Sequence, residues 1–71
     1  MIDISKIEIL KDTDDSSVMS YSGKNHYVIY QDRGYYTLSA RRPDGLEETY
    51  ACSTLSIAIA SIEDLEQGKE I

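Results

Sequence analysis

Residues 35–52 read YYTLSARRPDGLEETYAC, and this stretch contains the turn that decides the fold. Pro43 presets the backbone angle that the second position of a β-turn requires, and Gly45 can adopt the left-handed conformation that closes a three-residue hairpin loop. The flanking residues are rich in β-branched and aromatic side chains, as strands are. Counting outward from the turn predicts a β-hairpin in which Arg41 faces Glu47 and forms a cross-strand ion pair with it.

A similar turn, Asp32-Arg33-Gly34, precedes this hairpin. We predict a second three-residue loop closed by Gly34, which pairs Val28 with Leu38. The two turns together predict one sheet with two faces. The face expected to lie beneath a helix contains Val28, Tyr30, Tyr36, Leu38, Ala40, Tyr50 and Cys52. The face expected to remain open contains Tyr27, Ile29, Tyr35, Thr37, Ser39, Arg41, Glu47, Thr49 and Ala51.

A helix should follow the sheet. Ser53 or Thr54 can cap its start, Gly68 lies where helices commonly end, and apolar residues recur every three or four positions between them. The resulting stripe should cover the apolar face of the sheet. Its members are Leu55, Ala58, Ile59, Ile62 and Leu65. The centre of the core is expected to be Leu38, Leu55, Ile59 and Ile62.

The first quarter of the chain is ambiguous, since Ile7 and Ile9 alternate like a strand while Ile4, Ile7 and Leu10 fit one turn of helix. We favour a strand. The complete prediction is a single α+β domain over residues 1–71, an antiparallel β-meander of four to five short strands with one C-terminal helix packed on one face. The strands are expected at about 6–11, 17–21, 26–31, 35–41 and 46–52, and the helix at about 54–67.

The charge of the chain is −6, and it is unevenly distributed. Residues 1–15 carry −3 and residues 47–71 carry −5, whereas residues 24–42 carry +3. Net acidity argues against non-specific binding to nucleic acid or to an anionic membrane, because both require attraction at long range. It agrees with a partner protein that is basic.

Residue types that support catalysis or metal binding are sparse. Cys52 and His26 are the only residues of their kinds, so the sequence predicts neither a disulfide nor a Cys/His metal site. Phosphate-loop and dinucleotide fingerprints are absent. We therefore expect no enzyme activity, no cofactor and no metal. Because Met1-Ile2-Asp3 does not begin a signal peptide and no apolar run could span a bilayer, we expect a cytoplasmic protein.

Two uncharged surfaces favour binding instead. The centre of the open sheet face is rich in tyrosine and hydroxyl side chains, which are typical of interface cores. Residues 53–62 contain no charged side chain on any side of the helix. The candidate partner-binding residues are Tyr27, Ile29, Tyr35, Thr37, Ser39, Ile57 and Ala60. The sequence leaves open whether the N-terminal segment covers the sheet face instead.

These features predict a non-enzymatic protein-binding module, either a homodimer or a small acidic regulator of a larger, basic protein. A sharper version is an inhibitor that occupies a partner's nucleic-acid site, as small phage anti-defence proteins do. The rival hypothesis is a nucleic-acid-binding module that uses the sheet with Arg33, Arg41 and Arg42.

Overall fold

The computed structural model describes residues 2–69, which form one five-stranded antiparallel sheet and one α-helix. The strands lie side by side in chain order. This confirms the predicted α+β meander with a C-terminal helix. The strands are β1 (Glu8–Asp12), β2 (Ser16–Ser22), β3 (His26–Asp32), β4 (Tyr35–Arg41) and β5 (Glu47–Cys52), the helix is α1 (Leu55–Glu66), and a 3₁₀ turn at Ile4–Lys6 precedes β1.

Helix α1 begins at a side-chain cap. The hydroxyl of Thr54 accepts a 3.2 Å hydrogen bond from the backbone N–H of Ile57, and Gly68 ends the helix with a φ of +79°. Ile62 is fully buried, as expected of the core centre, whereas Leu55 and Ile59 are half-buried and pack at its border. Within residues 2–69 no helix is long and apolar enough to cross a membrane.

The hairpin between β4 and β5 has the predicted register. Leu38 faces Tyr50, and Arg41 faces Glu47. A guanidinium nitrogen of Arg41 lies 3.0 Å from a carboxylate oxygen of Glu47, which confirms the expected ion pair. Gly45 has a φ of +93°, as the three-residue loop requires.

The predicted register between β3 and β4 is wrong by one residue. The turn has two central residues, Arg33 and Gly34, and both adopt positive φ, of +52° and +84°. This is the geometry of a type I′ turn, whose twist suits a hairpin. Because side chains alternate along a strand, the one-residue shift reverses the faces of β3.

The reversal moves two candidate partner-binding residues into the core. Ile29 faces Leu38 across the strands, and Tyr27 faces Ala40. Tyr27 is 0% exposed and Ile29 is 2% exposed, so the predicted open-face positions of both residues are wrong. Val28 and Tyr30, the two residues of β3 that had been expected beneath the helix, alternate with them, and Tyr30 lies on the open side.

The N-terminal segment does not cover the open face. It forms β1 at the edge of the sheet, where it pairs with β2. Before β1, Ile2 is buried in the same cluster as Tyr27 and Ala58, on the side of the sheet that α1 covers. The open face therefore lies exposed in the described chain.

The C-terminal end of α1 is tied to the turn between β2 and β3. The Glu66 carboxylate accepts hydrogen bonds from the backbone N–H groups of Lys24, at 2.9 and 3.0 Å, and of Asn25, at 3.3 Å. It also accepts a 2.7 Å hydrogen bond from the Tyr27 hydroxyl. Gly23 leaves room for this carboxylate, since a Cβ there would overlap its oxygen. This contact fixes the direction of the helix across the sheet.

Candidate protein-binding surface

The sheet face that points away from α1, here called the open face, carries two uncharged rows of side chains. Each row crosses β2, β3, β4 and β5 at directly opposed positions. The first row is Val18, Tyr30, Thr37 and Ala51. The second row is Ser20, Val28, Ser39 and Thr49.

These rows are accessible at their centre. Tyr30 is 48% exposed although it lies on an interior strand, and Thr37 beside it is exposed. Val28 and Ser39 of the second row are half-buried. At a strand spacing of about 4.8 Å, four strands give a patch about 15 Å wide. The patch therefore combines one large aromatic ring with small apolar and hydroxyl groups.

Charged side chains border the rows toward the turn between β4 and β5. Arg41 pairs with Glu47, and the Ser39 hydroxyl donates a 3.0 Å hydrogen bond to the same glutamate. The hydrogen bond from Arg41, and then that from Ser39, lower the pKa of Glu47. A hollow of about 190 Å³ lies between this border and Tyr30, with His26 on its rim. The border is thus polar, and its arginine and glutamate side chains neutralise each other.

At the opposite end of the strands the surface is acidic. The turn after β1 lies against the turn after β3, since the N–H of Arg33 donates a 3.0 Å hydrogen bond to the carbonyl of Asp15. This end, here called the acidic end, carries four exposed aspartates and two exposed cations, Lys11 and Arg33. The aspartates are Asp12, Asp14, Asp15 and Asp32. Tyr35, which is 78% exposed, lies on the open face at this end, opposite Asp32.

The outer side of α1 is a separate surface. Ile57 is 46% exposed and Ala60 is exposed, as the sequence predicted. The sheet lies between these residues and the open face, so the structure does not bring the two sets of candidate residues together. One flat partner surface cannot contact both.

The residues considered for catalysis lie apart from one another. The His26 ring contacts the Ser22 hydroxyl at 3.1 Å on the open face, whereas Cys52 is buried beneath α1. Within residues 2–69 no group of three or more His, Cys, Asp or Glu side chains is arranged to hold a metal ion.

A larger hollow of about 530 Å³ lies where α1 ends beside β5. Its lining is mixed in charge, with Arg42 and Glu48 already 3.3 Å apart in an ion pair and Lys69 opposite them. The charged side chains of the lining therefore comprise two cations and one carboxylate.

Sequence reasoning missed Tyr30 as an exposed aromatic residue at the centre of the open face and Glu66 as a half-buried hydrogen-bond acceptor. Tyr30 was assigned to the other face by the one-residue error in register. Burial alone would raise the pKa of Glu66, but the hydrogen bonds from Tyr27 and from the backbone of Lys24 and Asn25 lower it overall. No local pattern indicates this contact, because Glu66 and Tyr27 are 39 residues apart.

Comparisons of the chain with known protein families, with curated proteins and with solved structures gave no match. The function must therefore be inferred from the chain's own surfaces.

Proposed function

We propose that this chain is a non-enzymatic protein-binding module that holds a partner protein on its open face. The observation that carries the proposal is the pair of uncharged rows that cross four strands with Tyr30 exposed at their centre. Binding surfaces elsewhere combine tyrosine with serine and threonine, because tyrosine supplies rigid contact area and small hydroxyl groups supply adaptable hydrogen bonds. An exposed tyrosine at the centre of such a patch is the natural anchor.

The charge of the chain favours a basic partner. The acidic end carries four aspartates against two cations, Lys11 and Arg33, and it borders the open face. A partner that carries lysine or arginine beside an apolar patch would complement both regions at once. If that basic surface is the partner's own nucleic-acid site, this chain acts as an inhibitor.

The rival function, nucleic-acid binding, has weaker support. Arg41 and Arg42 are engaged by Glu47 and Glu48 of the same chain, which leaves Arg33 in the turn after β3, beside the acidic end. Phosphate binding needs cations that face the ligand without competing carboxylates. Anisotropy measured with single- and double-stranded oligonucleotides at low salt tests the rival directly, and we expect no binding.

A pair of photo-crosslinking variants tests the proposed surface. The crosslinking residue replaces Thr37 on the open face in one variant and Ser56 on the outer side of α1 in the control. We expect a protein to be captured through Thr37 and not through Ser56. Capture through Ser56 alone would transfer the site to the Ile57 and Ala60 surface, and capture through neither would refute the proposal.

The captured protein then allows an affinity test. Tyr30→Ala should weaken binding by about tenfold or more, since a central tyrosine anchor commonly contributes about 2 kcal/mol. Tyr35→Ala is the matched control, because Tyr35 lies on the same face at its rim. Equal losses in the two variants would contradict Tyr30 as the anchor.

A further inference from the structure

The two edges of the sheet are protected to different degrees. At one edge, β1 has an irregular register between Ile9 and Lys11 and carries charged side chains, both of which discourage further strands. At the other edge, β5 keeps an unbroken register with β4 and contains neither proline nor a bulge. Within residues 2–69 only β4 pairs with β5. The β5 edge is therefore competent to accept another strand.

The hydrogen-bonding pattern of the hairpin shows which backbone N–H and C=O groups of β5 point away from β4. The N–H of Arg42 donates a 2.8 Å hydrogen bond to the carbonyl of Leu46, which marks the first hydrogen-bonded pair of this hairpin. Hydrogen-bonded and non-hydrogen-bonded pairs alternate along an antiparallel ladder. Alternate residues of β5 therefore direct their N–H and C=O groups away from β4. They are Glu47, Thr49 and Ala51, and all three are exposed.

The charges of β5 do not oppose self-association. Its two acids are each held by an arginine of the same chain, Glu47 by Arg41 at 3.0 Å and Glu48 by Arg42 at 3.3 Å. Two such edges can meet without an unpaired like charge at their centre. A register centred on Thr49 also places each Glu47 opposite Ala51 of the second copy, so that no glutamate faces a glutamate.

An antiparallel arrangement also separates the unpaired acids. The acidic end lies at one end of the strands, so pairing two copies antiparallel puts the two acidic ends on opposite sides of the assembly. The six residues of β5 span about 20 Å, which exceeds the Debye length of about 8 Å at physiological salt. Repulsion between the two acidic ends is therefore screened.

We propose that a second copy of this chain pairs its β5 with β5 of the first, antiparallel and with a two-fold axis at Thr49, to form one continuous ten-stranded sheet. The row that ends at Thr49 then runs directly into the same row of the other copy. The dimer presents two open faces as one surface. The edge contact is smaller than the interface of a permanent dimer, so association is reversible and depends on concentration.

Sedimentation equilibrium over a range of protein concentrations provides the first test. The wild type should change from monomer to dimer as its concentration rises. Thr49→Pro removes only an outward-facing N–H, which an edge strand tolerates, and should remain monomeric with an unchanged circular dichroism spectrum. Thr49→Val keeps that N–H and should dimerise as the wild type does. A wild type that is monomeric at every concentration, or a Thr49→Pro variant that dimerises normally, overturns the proposal.

Disulfide trapping tests the position of the axis and does not depend on how well the proline variant folds. In a Cys52→Ala background, Thr49→Cys should form a covalent dimer rapidly on oxidation, because the axis brings the two cysteines together. Thr37→Cys, on the same face of an interior strand, is the control and should crosslink at least about tenfold more slowly. Equal rates overturn the proposal. Capture of a partner through Thr37 does not depend on the sedimentation or disulfide measurements. The proposed binding function and the proposed dimer can therefore be refuted separately.

Discussion

The hydroxyl of Tyr27 donates a 2.7 Å hydrogen bond to Oε2 of Glu66, and this contact joins β3 to the last residue of α1. The two groups also affect each other's protonation. Burial, and then the contact with Glu66, raise the pKa of the Tyr27 hydroxyl, so it remains a donor at any ordinary pH. Tyr27, which the sequence suggested as a partner-binding residue, therefore joins two elements inside the domain.

Removing the Glu66 carboxylate should destabilise the domain. Glu66→Ala leaves the Tyr27 hydroxyl and two backbone N–H groups without their acceptor, and we expect a loss of about 1–2 kcal/mol because the carboxylate is partly exposed to water. Urea denaturation measures the change. Glu63→Ala is the control, because it also removes a negative charge from the last turn of the helix, where such a charge is unfavourable, and it should cost less; equal costs would contradict a special role for the Glu66 contacts.

The same carboxylate should make stability depend on pH. The pKa of Glu66 is lower in the folded state than the ordinary value of about 4.3, so the folded state binds fewer protons than the unfolded state in that range. Its stabilisation is complete above the ordinary value and is lost as the pH falls through the lower, folded value. Urea midpoints measured at decreasing pH should fall more steeply for the wild type than for Glu66→Gln. If the midpoints of the two proteins fall in parallel, Glu66 is not the origin of the pH dependence.

Gly23→Ala should act through Glu66. A Cβ at this position would overlap the carboxylate, which can move away only by giving up its hydrogen bonds. The cost should therefore resemble that of Glu66→Ala, and a double-mutant cycle should be strongly non-additive, with Gly23→Ala nearly neutral in the Glu66→Ala background. Additive costs would indicate that the added methyl group acts through another neighbour, the ring of Tyr21, which would lie 3.1 Å from the Cβ.

A substitution in the turn after β3 should stabilise the domain. Arg33 adopts a φ of +52°, where most side chains are strained, and asparagine followed by glycine is the preferred pair for this turn type. Arg33→Asn should raise the free energy of unfolding by about 0.5–1 kcal/mol. Arg33→Ala, which removes the side chain without relieving the strain, is the control for the lost charge. A stabilisation shared by both variants would be electrostatic.

The helix stripe should not be uniform in its contribution to stability. Ile62 is fully buried and Ile59 half-buried, so Ile62→Ala should cost about 2–5 kcal/mol and Ile59→Ala clearly less. Thermal and urea melts compare the two substitutions, which remove the same atoms. An equal cost would mean that Ile59 is less accessible in solution than its position at the border of the core indicates.

Local sequence was sufficient wherever a turn could close in one way only. Pro43 and Gly45 each restrict the backbone of the loop between β4 and β5, and counting from that loop predicted the Arg41–Glu47 pair and the burial of Cys52. The helix was equally predictable, because a capping residue at Ser53 or Thr54 and the apolar spacing are properties of consecutive residues, and the structure has the cap at Thr54.

The sequence by itself therefore determined the order of the strands, one hairpin register and the helix, since these depend on contacts between near neighbours in the chain. It did not determine which face of β3 is buried. The two faces of β3 are similarly apolar, since one carries Tyr27 and Ile29 and the other carries Val28 and Tyr30. In addition, the Asp32-Arg33-Gly34 turn is compatible with a two-residue loop and with a three-residue loop. Only the tertiary structure decided between them, because the helix buries one pair and Glu66 holds Tyr27 across 39 residues of chain. That long-range choice also decided that Tyr30 lies on the candidate binding surface.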